Sequence, residues 1–278
     1  MFVFDSRDIA LERNKELAKK IETLKKNSSF KPVLETILIG EKTSSRQFFE
    51  ALKAVALEVG VLYHQNNLSA NISLAKISSL VEGLNENPQV NGIVLALPVP
   101  SRIAINNNQP LQDKILPSKD IDCLTTENLS KLEEGQEVFV PPVVKAVLGV
   151  LPMLGNYRQK KIVVVGATGR VGRSLVIQLK KLGLSPGLVD EHTKNLVQKT
   201  KAAEILISAT GQAGLIKEEM VKKGAAIIDL GSPQGDIDFN SVSKKAAWLS
   251  PVPGGIGPLT LICLLENLFK VTFTPDVK

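Results

Sequence analysis

The sequence predicts an α/β protein of two domains, an α/β domain first and a Rossmann-like domain with a doubly wound parallel sheet second. Three observations carry this. Ile162–Val165 is an apolar β-branched run that stops at Gly166, and helical spacing resumes through Val176, Leu179 and Leu182. Strand signals at Leu188-Val189-Asp190, Glu204–Ser208 and Ala225–Asp229 alternate with helical stretches, the βαβα order of a Rossmann-like parallel sheet. The first half shows a similar alternation but no glycine-rich turn.

Taken in order, residues 7–26 set Ile9, Leu11, Leu17, Ile21 and Leu24 among charges and predict an amphipathic helix. Val33–Ile39 is a strand ending at Gly40. Ser44 and Ser45 can cap a second helix that runs to about Val59 and carries Phe48, Phe49, Leu52, Val55 and Ala56. A short strand around Tyr63, a helix over 73–86 and a strand over Val90–Leu97, closed by Pro98 and Pro100, follow. Residues 106–120 are polar and contain proline, which predicts a loop. Pro141-Pro142 marks a junction, and a helix follows from about Val143 to Leu154. The expected domains are residues 1–140 for substrate, 141–258 for a dinucleotide, and a helix over 259–278, starting near Thr260, that returns to the first domain. A cleft between the domains is expected.

Composition sets the limits. With 278 residues, 44% of them hydrophobic and 22% charged, the chain reads as a soluble two-domain protein with ample core. The longest apolar runs fall short of a bilayer, and Asp5, Arg7 and Asp8 interrupt the N-terminus. No membrane association is expected, and the cytoplasm is the expected compartment. Cys123 and Cys263 are too few for a disulfide framework, and His64 and His192 lack ligand-spaced partners, so no metal site is predicted. Residues 1–140 carry 16 Lys/Arg and 18 Asp/Glu, whereas residues 141–278 carry 18 and 10. The basic excess thus falls in the half with the glycine turn, as an anionic dinucleotide would favour. Nucleic acid is the competing partner, but aromatics are only 4% and the lysines form no stripe, so none is expected.

Gly166, Gly169 and Gly172 sit where a strand turns into a helix. Glycine tolerates the turn, lets N–H groups approach a pyrophosphate, and allows the helix to pack closely on the strand. The helix N-terminus adds partial positive charge. Asp190 lies 24 residues beyond Gly166, near the distance at which a carboxylate accepts from an adenosine ribose. Its other reading is an ordinary cap beside Thr193.

Several stretches together resemble the methylenetetrahydrofolate dehydrogenase/methenyltetrahydrofolate cyclohydrolases. Pro251-Val-Pro-Gly-Gly-Ile-Gly-Pro-Leu-Thr260 is close to that family's C-terminal signature. Lys119-Asp-Ile-Asp122 with Asn128 is similar to its mid-chain segment, and Thr193-Lys-Asn-Leu196, Ile227–Gly231 and Gly235–Phe239 fall where it has similar runs. The resemblance implies a nicotinamide cofactor, a folate substrate and a homodimer. It implies cofactor contacts from Gly166, Ala167, Thr168, Gly169, Arg170, Gly172 and Arg173 on the turn. Further cofactor contacts would come from Asp190, Glu191, Thr210, Gly211 and Ser232. Substrate would meet Phe48, Leu97, Pro98 and Asp122, with Pro251, Gly254, Gly255 and Pro258 lining the cleft. Asp122 would hold the pterin N–H groups by charge-assisted hydrogen bonds; its other reading is a carboxylate capping the turn at 119–123.

The chain departs from the family at the catalytic positions. Ungapped registers from Gly40 and from Gly60 put Phe48 in the family's Tyr slot and Leu52 in its Lys slot. Lys53 is one residue off, about 100° around a helix. A local irregularity pairing Phe49 with Lys53 would restore the spacing; otherwise Lys53 is a solvated charge. Ala96 replaces the Gln before the Leu97-Pro98 turn, and Pro142, Val143 and Val144 replace Cys-Thr-Pro. Cyclohydrolysis needs a positioned base, whereas hydride transfer mainly needs the two rings held face to face. The expectation is a dehydrogenase with weak or absent cyclohydrolase activity, using NAD or NADP. Asp190 and Glu191 favour NAD; Arg170 and Arg173 could still hold a 2′-phosphate. The alternative is a lapsed member that binds dinucleotide or folate as a sensor or partner subunit.

Overall fold

The structure is a computed structural model and describes residues 1–27, 31–40, 42–106, 109–137 and 139–273. Strand β1 (Phe2–Val3) leads into helix α1 (Arg7–Asn27), which buries Leu17 and Ile21. Strand β2 (Val33–Ile39) is buried at every position, as a central parallel strand must be. Helix α2 (Thr43–Glu58) buries Phe49, Leu52 and Ala56, spaced to lie on one face. Strand β3 (Leu62–Leu68) pairs with β2 along its whole length, so the segment around Tyr63 is longer than its mixed polarity suggested. Helix α3 (Leu74–Glu86) is capped by Ser73, whose hydroxyl accepts from the Lys76 N–H at 3.3 Å. Strand β4 (Gly92–Leu95) completes a parallel sheet ordered β3-β2-β4. Within the expected loop at 106–120, Gln109–Pro110 pairs with Ile105–Asn106 and Leu111–Lys114 forms a 3-10 turn. Asn107 and Asn108 lie outside the described residues. Helix α4 (Thr126–Glu134) runs from its Thr125 cap to Gly135 at φ +79°.

The second half runs through α5 (Pro142–Val150), β5 (Ile162–Val165), α6 (Arg170–Lys181), β6 (Gly187–Val189) and α7 (Leu196–Lys201). It continues through β7 (Ile205–Ser208), β8 (Ala226–Asp229), β9 (Trp248–Ser250) and α8 (Gly257–Phe273). The six strands lie β1-β9-β8-β7-β5-β6, all neighbours parallel. Chain order reverses beside β5, with β6 on one side and β7 on the other. In such sheets the carboxyl ends at that point open into a crevice.

The chain divides into two compact units, Met1–Ala10 with Val143–Thr260 and Leu11–Pro142 with Leu261–Lys278. The expectation that residues 1–140 stay together is corrected at the N-terminus. Phe2 and Val3 pair with Trp248 and Leu249, and the Phe4 ring stacks on Trp248 at 4.8 Å. A two-residue strand carries no readable period. The last helix begins at Gly257, not near Thr260, because Pro258 needs no hydrogen-bonded N–H in a first turn. Within the second unit, Asn267 on α8 donates to the carbonyls of Ile121 at 2.9 Å and Val140 at 3.0 Å. Arg13 meets Glu266 at 2.6 Å.

Part of the basic excess of the second half lies at helix C-termini and strand starts: Lys180 and Lys181 end α6, Lys199 and Lys201 end α7, and Arg158, Lys160 and Lys161 precede β5. Cations there complement the partial negative charge of helix ends. Arg170 and Arg173 stand instead in the first turn of α6, beside the glycine turn.

Candidate functional site

The glycine turn is fixed by close approach. Gly166 has φ +79°, and a Cβ there would lie 2.5 Å from the Ala209 carbonyl oxygen. At Gly172 a Cβ would lie 2.1 Å from the Gly166 carbonyl oxygen, so only glycine lets α6 sit on the turn. Gly169 is the N-cap of α6 and makes no side-chain hydrogen bond, leaving the first-turn N–H groups to the crevice. This is the donor set that a pyrophosphate fits.

A cleft of about 430 Å³ opens there, lined by Gly166, Thr168, Gly169, Asp190, Glu191 and Thr210 among the expected residues. Val165, Thr193, Leu196, Ala209, Gln212 and Leu215 also line it. Leu196 and Leu215 rest on the buried core of the sheet and give the cleft an apolar wall. Ala167 and Gly172 are buried behind the turn. Arg170, Arg173, Gly211 and Ser232 are exposed and do not line this cleft. Asp190 accepts from the Thr193 hydroxyl at 2.8 Å and the His192 N–H at 3.1 Å. Those hydrogen bonds, Thr193 foremost, hold its carboxyl below the usual range. The cap beside Thr193 and a place at the cleft are thus compatible.

The Pro251–Pro258 stretch lies at the end of β9. Gly255 is required by the turn itself, since a Cβ there would meet the Pro251 oxygen at 2.5 Å. Gly254, at φ +101°, faces open space.

In the other unit, Lys119 donates to three carbonyls at the end of α3, those of Leu84, Asn85 and Asn87, at 2.6–2.9 Å. Burial lowers its pKa. Asp120 is buried, and its Oδ2 accepts from the N–H groups of Leu124 and Thr125, the Thr125 hydroxyl and the Asn128 amide at 2.8–2.9 Å. Asp120 thus caps the turn that leads into α4. Asp122 is left half-buried on the loop that follows. Cys123 beside it adopts φ +58°, and burial pushes its thiol pKa up, so it is no nucleophile.

On α2 the helix is regular from Thr43 to Glu58. Phe48 is 36% exposed, Leu52 is 0% exposed, and Lys53 is on the solvent side. Phe49 is buried, so the irregularity that would pair it with Lys53 does not occur. Ala96 closes β4, its N–H bonded to the Ile37 carbonyl at 2.9 Å, and the Leu97–Pro98 bond that follows is cis. The Tyr63 hydroxyl bonds Thr36 at 2.9 Å and Gln65 at 3.0 Å. Burial raises its pKa, so it does not supply a base.

Two family models cover nearly all of the chain. The tetrahydrofolate dehydrogenase/cyclohydrolase catalytic domain matches residues 4–122, and the NAD(P)-binding domain of the same family matches residues 141–274. The chain belongs to the tetrahydrofolate dehydrogenase/cyclohydrolase family. It is 34% identical to the bifunctional protein FolD of Lactobacillus delbrueckii subsp. bulgaricus, over 97% of this chain and 96% of the relative. The solved 5,10-methylenetetrahydrofolate dehydrogenase of the silkworm Bombyx mori superposes with a TM-score of 0.90 at 30% identity, over 100% of both chains. FolD of Trypanosoma brucei, solved with NADP and an inhibitor, gives a TM-score of 0.88 at 30% identity, covering 98% of this chain and 97% of that one.

Membership in this family sharpens the meaning of α2. The slots in which the family carries Tyr and Lys hold here a half-exposed Phe48 and a wholly buried Leu52. Neither side chain can carry a proton. Gln212 and Leu215 carry no signal in the sequence, because single polar or apolar residues in loops have no period; Thr193 is legible there only as a cap and Asp120 only as part of a longer run.

Proposed function

We propose that this chain oxidises 5,10-methylenetetrahydrofolate to the methenyl form with a nicotinamide cofactor, and that its cyclohydrolase step is weak or absent. The observation that carries this is the contrast between a dinucleotide cleft with its turn, helix N-terminus and Asp190 in place and an α2 face without a proton carrier. When bound, the nicotinamide supplies the hydride acceptor. The first-turn N–H groups of α6 would hold the pyrophosphate, and Asp190 a ribose hydroxyl. Asp122 would orient the pterin through its N–H groups. None of these roles needs the base that Leu52 lacks. Opening the methenyl bridge does need one, to activate water and move a proton.

Asp190 and Glu191 at one rim of the cleft place negative charge where a 2′-phosphate would sit, which favours NAD over NADP. Self-association as a homodimer belongs to the same proposal and is read from the mass in solution. The test of function follows NAD(P)H and the methenyl product with both cofactors. Accumulation of both species is expected. Reduced cofactor with rapid loss of the methenyl product would overturn the cyclohydrolase part, and no reduction of either cofactor would overturn the dehydrogenase part.

A further inference from the structure

Two buried carboxylates stand behind the cofactor cleft. Asp236 is 0% exposed. Its Oδ2 accepts from the Ser208 hydroxyl at 2.8 Å and from the Thr210 N–H at 2.6 Å, while its Oδ1 has no partner among the described residues. Asp229, at the end of β8, accepts from the N–H groups of Gly231 at 2.8 Å and Asp236 at 3.0 Å through Oδ1. Its Oδ2 accepts from the Ile237 N–H at 3.2 Å, and its own N–H donates to Ser250 at 3.1 Å. These contacts form a chain of support from β9 through β8 to the end of β7.

What this chain supports is one wall of the cleft. Ala209 and Thr210 stand directly across from Gly166, for a Cβ on Gly166 would lie 3.2 Å from the Thr210 Cα. Gln212, also on that wall, donates its N–H to the Thr210 hydroxyl at 3.2 Å. A buried carboxylate with one oxygen unserved is costly to the fold. All of its hydrogen bonds converge on the oxygen that holds the 208–210 segment. That is the distribution expected of a residue present to set a main-chain position rather than to stabilise the core.

We propose that Asp236 is a positioning residue for the dinucleotide, fixing the Thr210 main chain that faces the glycine turn, and that Asp229 fixes Asp236 in turn. The inference rests on the dinucleotide reading of the cleft given above. It extends that reading to a residue outside the cleft that touches no ligand.

The test compares the whole wild-type chain with Asp236→Asn and Ser208→Ala. NAD and NADP binding is measured by calorimetry, alongside kcat and both KM values. Loss of the charge-assisted bond to Thr210 should raise the dinucleotide KM and Kd by about tenfold in Asp236→Asn. The folate KM and kcat should stay within about twofold, and the melting temperature should not fall, since an under-served buried charge is removed. Ser208→Ala keeps the Thr210 contact and should shift dinucleotide affinity in the same direction by about threefold. It carries the test if Asp236→Asn does not fold. Wild-type dinucleotide affinity in the folded variants would overturn the proposal, as would a lowered melting temperature with unchanged affinity. Failure of the underlying reading would show differently, as absence of NAD and NADP binding in the wild type itself.

Discussion

A Cβ on residue 172 would fall 2.1 Å from the carbonyl oxygen of Gly166. Backbone, not a flexible side chain, stands in the way. Gly172→Ala should therefore push α6 off the turn, costing roughly 1–3 kcal/mol and weakening dinucleotide binding at the same time. Denaturant midpoints and NAD titration check both effects, and an alanine variant that binds like the wild type would show that the helix has room to move.

Leu52 and Lys53 should separate cleanly. Leu52→Ala opens a hole in the core behind α2 and should cost about 2–5 kcal/mol. Lys53→Met removes an exposed charge and should change stability by no more than about 0.5 kcal/mol. Residual methenyl hydrolysis should survive Lys53→Met unchanged. Its loss would reveal Lys53 as the substitute base.

The neighbouring carboxylates of the mid-chain segment should part in the same way. Asp120→Ala strands four donors in a buried loop and should destabilise the chain by roughly 3 kcal/mol or more. Asp122→Ala should have the smaller effect on stability and the larger effect on folate KM. Thermal melts and steady-state kinetics on both variants decide.

Asp190→Asn removes charge from the rim of the cleft. The KM for NAD should rise by about tenfold while that for NADP falls or holds. Equal turnover of both cofactors by the wild type would overturn the preference.

Burial holds the Asp229 carboxyl above the ordinary carboxylate range. The folded chain therefore keeps this proton at a pH where the unfolded chain has released it. The resulting stabilisation is present at low pH and is lost as pH rises from the ordinary carboxylate value through the raised folded one. Urea midpoints of wild type and Asp229→Asn, compared across that window, should converge at its acid end and part at its alkaline end. A difference that does not vary with pH would refute the assignment.

The sheets were largely legible before the structure, because Val33–Ile39, Ile162–Val165 and Ile205–Ser208 are apolar runs bounded by turns, and burial on both faces leaves that mark. The glycine turn was legible because three glycines at fixed spacing serve a geometric need. β1 was not, since two residues show no period and its partner Trp248 is distant in the chain. Asp120 was not distinguishable from Asp122, because both are acids in one loop and only the fold decides which is inside. Asp236 drew notice only as part of a family-like run. The charge split was legible only as a total, since charge counted along a chain does not say which end of a strand or helix carries it.

The pairing of Phe2 with Trp248 has a consequence for how the molecule is made. Neither compact unit is a continuous piece of polypeptide: the chain leaves the unit that holds the six-stranded sheet after Ala10 and re-enters it at Val143. On the ribosome, the strand at Phe2–Val3 is synthesised long before the edge it must join, and the whole of Leu11–Pro142 emerges in between. Completion of the sheet is thus a late, long-range event, slow by the standards of local contacts. A nascent chain stalled short of Trp248 leaves the backbone of Phe2–Val3 unpaired and the Phe4 ring, buried in the finished fold, uncovered for chaperones to shield.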